Sequence, residues 1–363
     1  MNMTDFIKSI KKQIFHLNHE VYTQLAYRLP FLPPYRHVFV LTNLCNMNCK
    51  NCFQEKDSGS KGLTKEQWID LSNNIPSFSR VTITGGEPLI FPHASDILAE
   101  IAKRHQCNLI TNGTLLTKEL VDLLLSLPKF RILAVSIDSL MTGKANIRGY
   151  TERQWADLEN NLKIFIRRRD AARSGCMLEI KTLILDENAE ELFDIHKYCM
   201  EVLKADHHTF QFLKGSPLQH SLRTVALEEV FKVSCAPVYK KFDIVVREIN
   251  KIKEYNIKNK KVSFLHPLIS DICTQKPIAD FSYLNAERFE PRNFKHCRFP
   301  WSSVHINYDG EVFPCLSVAL GNVKEKTLNE ILHDRPYKDF LQAMKKNRLF
   351  QACNRCGWLR PAQ

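Results

Sequence analysis

The sequence predicts an α/β protein: an open, partial (βα)6 TIM-like barrel followed by a small C-terminal cysteine-rich α+β extension. Three observations carry this expectation. Short β-rich apolar runs recur along the chain, helix-length amphipathic stretches separate them, and four cysteines crowd into about the last fifth. The runs are Val38–Thr42, Val81–Thr84, Asn108–Thr111, Ile132–Ile137, Leu178–Leu183 and Thr209–Leu213. The stretches between them are 64–74, 93–105, 117–126, 153–172 and 189–203. Strands alternating with helices indicate a parallel sheet. Six such strands suit a partial barrel, whose active-site loops lie at the strands' C-terminal ends. The expected organisation is a helical extension over 1–35, the barrel over 36–220, a helical linker region over 221–290 and a cysteine-bearing domain over 291–363. Within the linker a long basic helical stretch, 227–256, precedes a short strand, Val262–Leu265.

The chain of 363 residues is 44% hydrophobic and 25% charged, as in an ordinary globular protein with a large core. Its net charge of +12 comes from 51 Lys and Arg against 39 Asp and Glu. The cations are scattered, with no run of five, which favours a solvated surface over a dedicated anion-binding face. No nucleic-acid motif accompanies them. Over residues 5–29, Ile7, Ile10, Ile14, Val21 and Leu25 recur near helical spacing until Pro30, Pro33 and Pro34. A helix packed on the main domain is expected there, rather than one lying on a membrane. No apolar run reaches the length of a membrane span, and the N-terminus lacks a signal-peptide pattern. A cytoplasmic location is expected, where clustered cysteines serve as metal ligands or catalytic groups.

Cys45, Cys49 and Cys52 follow the first strand. Three cysteines within eight residues suit one loop giving three thiolates to an iron–sulfur cluster, leaving one iron open. By spacing alone a zinc site with a distant fourth ligand stays possible. Thr84-Gly85-Gly86-Glu87-Pro88 ends the second strand. Paired glycines let a backbone approach a ligand closely, and a carboxylate there can accept from an ammonium group. The same residues also suit a plain strand-to-helix turn.

Cys-x3-Cys-x2-Cys after strand one and Gly-Gly-Glu-Pro after strand two together resemble the radical S-adenosylmethionine (SAM) superfamily. The resemblance covers about residues 36–215. It implies that Cys45, Cys49 and Cys52 hold a [4Fe–4S] cluster whose open iron chelates SAM. It implies further that Phe53 lies beside the cofactor and that Glu87, with the Gly85–Gly86 backbone, binds the methionine ammonium. Ser136 and Asp138 match the family's polar SAM-contacting segment, Arg148 matches an arginine that pairs the SAM carboxylate, and Asn112 is a further cofactor contact. Turn capping and a surface ion pair are the plain alternatives for Ser136, Asp138 and Arg148. The implied reaction is reductive cleavage of SAM to a 5′-deoxyadenosyl radical, which abstracts a hydrogen atom from the substrate. An external electron donor such as flavodoxin or ferredoxin is implied with it.

Near the C-terminus stand Cys297, Cys315, Cys353 and Cys356, with an Asp309-Gly310 hairpin turn before Cys315. Four soft ligands suit zinc or an iron–sulfur cluster. Gly310 ahead of Cys315, the Leu320-Gly321-Asn322 stretch and the closing Cys-x2-Cys resemble the SPASM and twitch extensions of radical SAM enzymes. These imply one auxiliary [4Fe–4S] cluster, with Cys273 as an upstream spare ligand. Leu316 stands where sulfatase-maturing relatives carry an acidic residue after the cysteine, which argues against their reaction here. Cys107, Cys176, Cys199 and Cys235 are dispersed and read as buried free thiols.

The expected function is hydrogen abstraction from a ribosomally synthesised peptide. The alternatives are radical oxidation or rearrangement of a small anionic metabolite, such as an aminosugar, nucleoside or phosphorylated compound, and an iron–sulfur or zinc protein that binds without catalysis. No residue is assigned as the acid or base that acts on the substrate.

Overall fold

The computed structural model describes residues 19–52, 61–221, 223–232, 238–267, 281–286 and 289–362. Phe53, Cys235 and Cys273, and most of the expected N-terminal helix, lie outside them. The described part of that helix, α1, covers 19–28. The barrel follows as β1 (Arg36–Val40), α2 (Lys65–Asn73), β2 (Arg80–Thr84), α3 (Ala94–Arg104), β3 (Gln106–Thr111), α4 (Lys118–Ser126) and β4 (Phe130–Ser136). It continues as α5 (Glu152–Ala171), β5 (Met177–Ile184), α6 (Leu192–Glu201), β6 (His207–Phe212), α7 (Phe242–Asn259) and β7 (Ser263–His266). The remainder forms β8 (Ser303–Ile306), β9 (Glu311–Phe313), β10 (Gly321–Asn322), α8 (Leu328–His333) and α9 (Arg335–Asn347).

All ten strands join one sheet in the order β10-β9-β8-β1-β2-β3-β4-β5-β6-β7. β1 to β7 run parallel, each beside its predecessor, so every crossover is a helix laid on the outer face. The expected α/β partial barrel is present, with two differences. The short strand near Val262–Leu265 is β7, a seventh parallel strand paired on β6. The C-terminal part extends the barrel sheet, since β8 pairs parallel with β1 and then turns antiparallel into β9 and β10.

Local signals explain the boundaries. Thr64 and Thr151 form capping boxes with Gln67 and Gln154 at the starts of α2 and α5. The burial pattern of β5 alternates strictly. It sends Leu178, Ile180 and Ile184 into the helix layer, while Met177, Glu179, Lys181 and Leu183 line the lumen. The long helix expected over 227–256 is not continuous. A short 3-10 turn, Leu227–Phe231, stands apart from α7, which begins only at Phe242. Pro237 falls between them in the sequence, where a helix interior would lose a hydrogen bond and clash. α1 does pack on the body: Ala26 is buried, Thr23 hydrogen bonds Ser302, and the Tyr22 hydroxyl donates to the Pro33 carbonyl. Among the described residues no helix is long and apolar enough to cross a membrane.

Candidate active site

One cavity of about 1930 Å³ runs through the barrel. At the C-terminal ends of the strands it is lined by Cys45, Cys49, Cys52, Gly85, Gly86, Asn112, Ser136, Asp138 and Arg148. The sequence-named residues at the ends of four successive strands thus meet on one wall.

The cysteine loop is fixed from two sides. The Met47 N–H donates to Cys45 Sγ at 3.4 Å, and Asn112 Nδ2 reaches the same sulfur at 3.8 Å and Asn46 Oδ1 at 3.0 Å. The Cys49 thiol donates to the Arg148 carbonyl at 3.8 Å. Burial pushes the Cys49 thiol up against the pull of Arg148, with Cys52 and Cys45 adding to the rise. The three sulfurs therefore sense one another. Among the described residues no three His, Cys, Asp or Glu side chains converge as they would on one metal ion. A four-iron cube takes its thiolates at its corners, wider than the ligand shell of a single ion, so a loop that wraps a cube need not converge.

Gly85 and Gly86 are there for space. A Cβ on Gly86 would stand 2.2 Å from the Leu44 carbonyl oxygen, and one on Gly85 2.7 Å from that of Thr42. Their backbones lie directly against the segment that delivers Cys45. Glu87 stands at the start of the turn after β2. Its carboxylate is fully buried, does not line the cavity, and accepts from the Thr111 hydroxyl at 2.7 Å and the N–H groups of Asn112 at 2.7 Å and Leu89 at 3.1 Å. Burial raises its pKa and these donors oppose the rise. In this arrangement Glu87 buttresses the end of β3, with three of about four acceptor sites taken.

Arg148 and Asp138 form a buried ion pair, Nε to Oδ2 2.8 Å. The Arg148 Nε–H nevertheless has no well-aligned acceptor. Arg148 lines the cavity, and a guanidinium there suits an anionic ligand group such as a carboxylate. Tyr150 carries no signal in the sequence that would single it out. Its hydroxyl donates to the Asn112 carbonyl at 2.7 Å and reaches that of Ser136 at 3.2 Å, tying the ends of β3 and β4 together.

The second cysteine set is equally gathered. Burial, then Cys297, Cys353 and Cys356, push the Cys315 thiol far up, and burial with Cys356 and Cys297 does the same to Cys353. Such thiols stay protonated until a metal takes the proton's place. The barrel helps to build this site through the segment after β6. The Gly215 N–H donates to the Asn354 carbonyl at 3.0 Å, and Gln219 Nε2 donates to the carbonyls of Ala352 and Asn354 at 2.8 and 2.6 Å. A Cβ on Gly215 would stand 2.6 Å from that Asn354 oxygen. Lys214, in the same segment, lines the cavity and donates to the Gln219 carbonyl at 3.1 Å. Burial pushes its ammonium down to about 7, while Cys356 of one set and Cys52 of the other pull it back up. Lys214 thus lies within electrostatic reach of both cysteine sets. Its signal in the sequence is a lysine directly after a barrel strand, where active-site loops begin. Cys107, Cys176 and Cys199 are buried free thiols, as expected.

The chain matches the radical SAM superfamily profile over residues 39–199 and the SPASM iron–sulfur cluster-binding domain over 297–357. The chain belongs to the radical SAM superfamily. This radical SAM enzyme is 23% identical to the antilisterial bacteriocin subtilosin biosynthesis protein AlbA of Bacillus subtilis, over 94% of its own length and 67% of that protein's. It is 24% identical to the tungsten-containing aldehyde ferredoxin oxidoreductase cofactor-modifying protein of Pyrococcus furiosus, over 87% of its own length and 85% of that protein's. Its fold is that of Streptococcus suis SuiB bound to the precursor peptide SuiA (TM-score 0.61, 15% identity, 89% of this chain and 71% of that one). It is also that of anSMEcpe with bound AdoMet (TM-score 0.58, 16% identity, 90% and 93%). The superfamily's cofactors are a [4Fe–4S] cluster with SAM, and the SPASM domain carries auxiliary iron–sulfur centres. When bound, the cluster and SAM supply one-electron cleavage of SAM and hydrogen-atom abstraction. The chain's own residues offer three thiols for the first group, the cavity-lining Arg148 guanidinium for a carboxylate, and four thiols for the second.

Proposed function

We propose that this radical SAM enzyme modifies a ribosomally synthesised peptide, with Cys45, Cys49 and Cys52 holding the SAM-cleaving cluster and Cys297, Cys315, Cys353 and Cys356 holding one auxiliary cluster. The observation that carries the peptide reading is the likeness to a bacteriocin biosynthesis protein along 94% of the chain. The cavity supports it. At about 1930 Å³ it exceeds the roughly 300–1,000 Å³ of an ordinary small-molecule pocket, leaving room for a peptide residue beside SAM. Gly85, Gly86, Ser136 and Arg148 line the SAM end, with Asp138 orienting Arg148 and Asn112 holding the cysteine loop. A cytoplasmic location fits the ten described cysteines, all free. A second reading, an anionic small metabolite, is favoured by Lys181, Lys214 and Arg36 on the cavity wall.

The test is anaerobic reconstitution with SAM, reductant and the precursor peptide encoded beside the gene. Peptide loss of hydrogen mass or a new cross-link in tandem mass spectra, with stoichiometric 5′-deoxyadenosine, is expected. 5′-Deoxyadenosine formed with every candidate peptide left unchanged, and raised instead by anionic metabolites, would move the assignment to the second reading.

A further inference from the structure

The first residues of β1 and β2 are both arginine. Arg36 and Arg80 are register partners on adjacent parallel strands, so their side chains leave the same face, and both line the cavity. They stand at the N-terminal ends of the strands, whereas the Cys45–Cys52 loop leaves the other end of β1. Arg36 is held in place. Its guanidinium lies 5.7 Å over the Phe299 ring and 5.5 Å over that of Trp358, and Nη1 donates to Ser303 Oγ at 3.2 Å. Phe299 and Trp358 are themselves stacked at 3.7 Å, with His19 of α1 edge-on to both. Arg80 lies 5.2 Å over the Tyr35 ring and donates to its hydroxyl at 3.3 Å.

Among the described residues the one charged group that acts on Arg36 is Arg80, and the Ser303 bond uses one of the five N–H groups of Arg36. Aromatic faces attract a guanidinium but take none of its in-plane N–H groups. Burial, then Arg80, push the Arg36 guanidinium down to about 9, and burial pushes Arg80 down to about 10. Asn108 lines the same cavity, two residues along β3 from Gln106, the register partner of Arg80. It is buried, and its side chain makes no hydrogen bond among the described residues. Like charges side by side and out of water are costly unless an anion sits with them.

We infer that Arg36 and Arg80 form the seat of a tetrahedral oxyanion, a phosphate or sulfate group, with the Asn108 amide donating from the side. The two guanidiniums come from neighbouring strands and are held by different rings. One fork satisfies a carboxylate, whereas a tetrahedral group offers oxygens to both. Its two negative charges match the two cations. The stacked rings hold Arg36 before the ligand arrives, so little rotamer freedom is lost on binding. A purely structural role would account for the rings and the Ser303 bond, but would leave the other N–H groups of Arg36 and the Asn108 amide unused. The occupant is the free ion or the phosphate ester of a larger ligand that reaches down the lumen. The inference goes beyond the peptide reading and does not rest on it.

The experiment titrates the reconstituted holoenzyme with inorganic phosphate and with sulfate by calorimetry, and follows its melting temperature in the same solutions. Sodium chloride at matched ionic strength is the control. The wild type is expected to bind about one phosphate per chain and to melt higher in phosphate than in chloride. Arg36→Gln and Arg80→Gln are each expected to lose at least about tenfold in phosphate affinity, and with it the phosphate-dependent rise in melting temperature. Arg36→Lys keeps the charge without the fork and is expected to fall between Arg36→Gln and the wild type. A merely structural Arg36 would lower the melting temperature of Arg36→Gln by the same amount in phosphate and in chloride, and that outcome overturns the inference. So does wild-type binding no tighter for phosphate or sulfate than for chloride, or affinity retained in both glutamine variants. Should the glutamine variants fail to fold, Asn108→Asp carries the test. It sets a carboxylate beside the arginines and is expected to weaken phosphate binding at least about tenfold, and unchanged affinity there overturns the seat. Glycerol 3-phosphate separates the two sources. Tighter binding than inorganic phosphate, lost in the same variants, assigns the seat to a phosphate ester, and binding no tighter assigns it to the free ion. No peptide, SAM or reductant enters these readouts, so the peptide reading stands or falls separately.

Discussion

Arg148 Nε stands 2.8 Å from Asp138 Oδ2 at the wall that the cysteine loop shares, and the Arg148 carbonyl accepts from the Cys49 thiol. Asp138 also holds the Leu183 N–H through Oδ1 at 2.7 Å. The pair therefore joins the ends of β4 and β5 to the cluster loop. Removing one member of such a buried pair strands the other charge, at a cost of about 3–5 kcal/mol. Asp138→Asn keeps an acceptor for Leu183 and loses the charge. It is expected to lower the melting temperature and to weaken SAM binding at least about tenfold, the equivalent of 1.4 kcal/mol, with iron content unchanged. Anaerobic calorimetric titration with SAM checks this, and wild-type affinity in the variant would remove the pair from the SAM site.

Gly86→Ala and Gly215→Ala separate the two cysteine sets. The first Cβ meets the Leu44 carbonyl and the second that of Asn354, and backbone cannot swing aside as a side-chain end can. Each substitution is expected to destabilise by about 1–3 kcal/mol, the usual cost of overpacking. Gly86→Ala should displace the loop of Cys45 and empty the first site, while Gly215→Ala should displace the Cys353–Cys356 loop and empty the second. Iron counts with electron paramagnetic resonance of the reduced variants check the assignment. Loss of the same cluster in both would contradict it.

These two positions show how far the sequence is legible. Gly85 and Gly86 belong to a short motif whose spacing carries chemistry, so the linear chain alone singles them out. Gly215 serves the same purpose for the other site, but its partner Asn354 is 139 residues away in sequence (354 − 215), and no local pattern links them. The strands and helices are readable because alternation and capping are local, as at β5 and Thr151. Sheet neighbours are less so. That β8 pairs with β1 is a long-range choice made by the lumen and the helix layer, and nothing in Ser303–Ile306 announces it. Glu87 differs in another way: its residue type is informative, but its carboxylate is taken by Thr111 and Asn112 from the next strand.

Replacing Cys45, Cys49 and Cys52 by alanine is expected to abolish SAM cleavage and to lower iron from about eight to about four per chain, as for two four-iron clusters on thiolates. Replacing Cys315 and Cys353 instead should leave about four irons and keep basal 5′-deoxyadenosine formation. Iron and sulfide assays beside chromatographic quantitation of 5′-deoxyadenosine check both. Cleavage retained at the wild-type rate in the first variant would refute the site.

A buried histidine chain between β5, β6 and the helix layer governs the acid limit of the fold. His196 Nδ1 lies 3.1 Å from His208 Nδ1, His208 Nε2 is 2.8 Å from Thr182 Oγ1, and His196 Nε2 is 2.8 Å from Asn256 Oδ1. Both rings are fully buried. Burial pushes His196 down to about 4 and His208 well below its ordinary value, where the neighbouring His196 ring opposes its charge as well. In the unfolded chain both regain a pKa near 6.5. Between that value and about 4 the unfolded state binds more protons than the folded one. The stability contributed by neutral His196 is therefore complete above pH 6.5 and is lost as pH falls toward 4, up to about 3 kcal/mol. His196→Gln removes the titrating ring and keeps a polar group for Asn256. It is expected to be less stable than the wild type at pH 7.5, with the gap narrowing by about pH 5. Urea unfolding midpoints of the iron-free protein across that range check the sign. A gap that widens on acidification would mean the ring is charged in the folded protein.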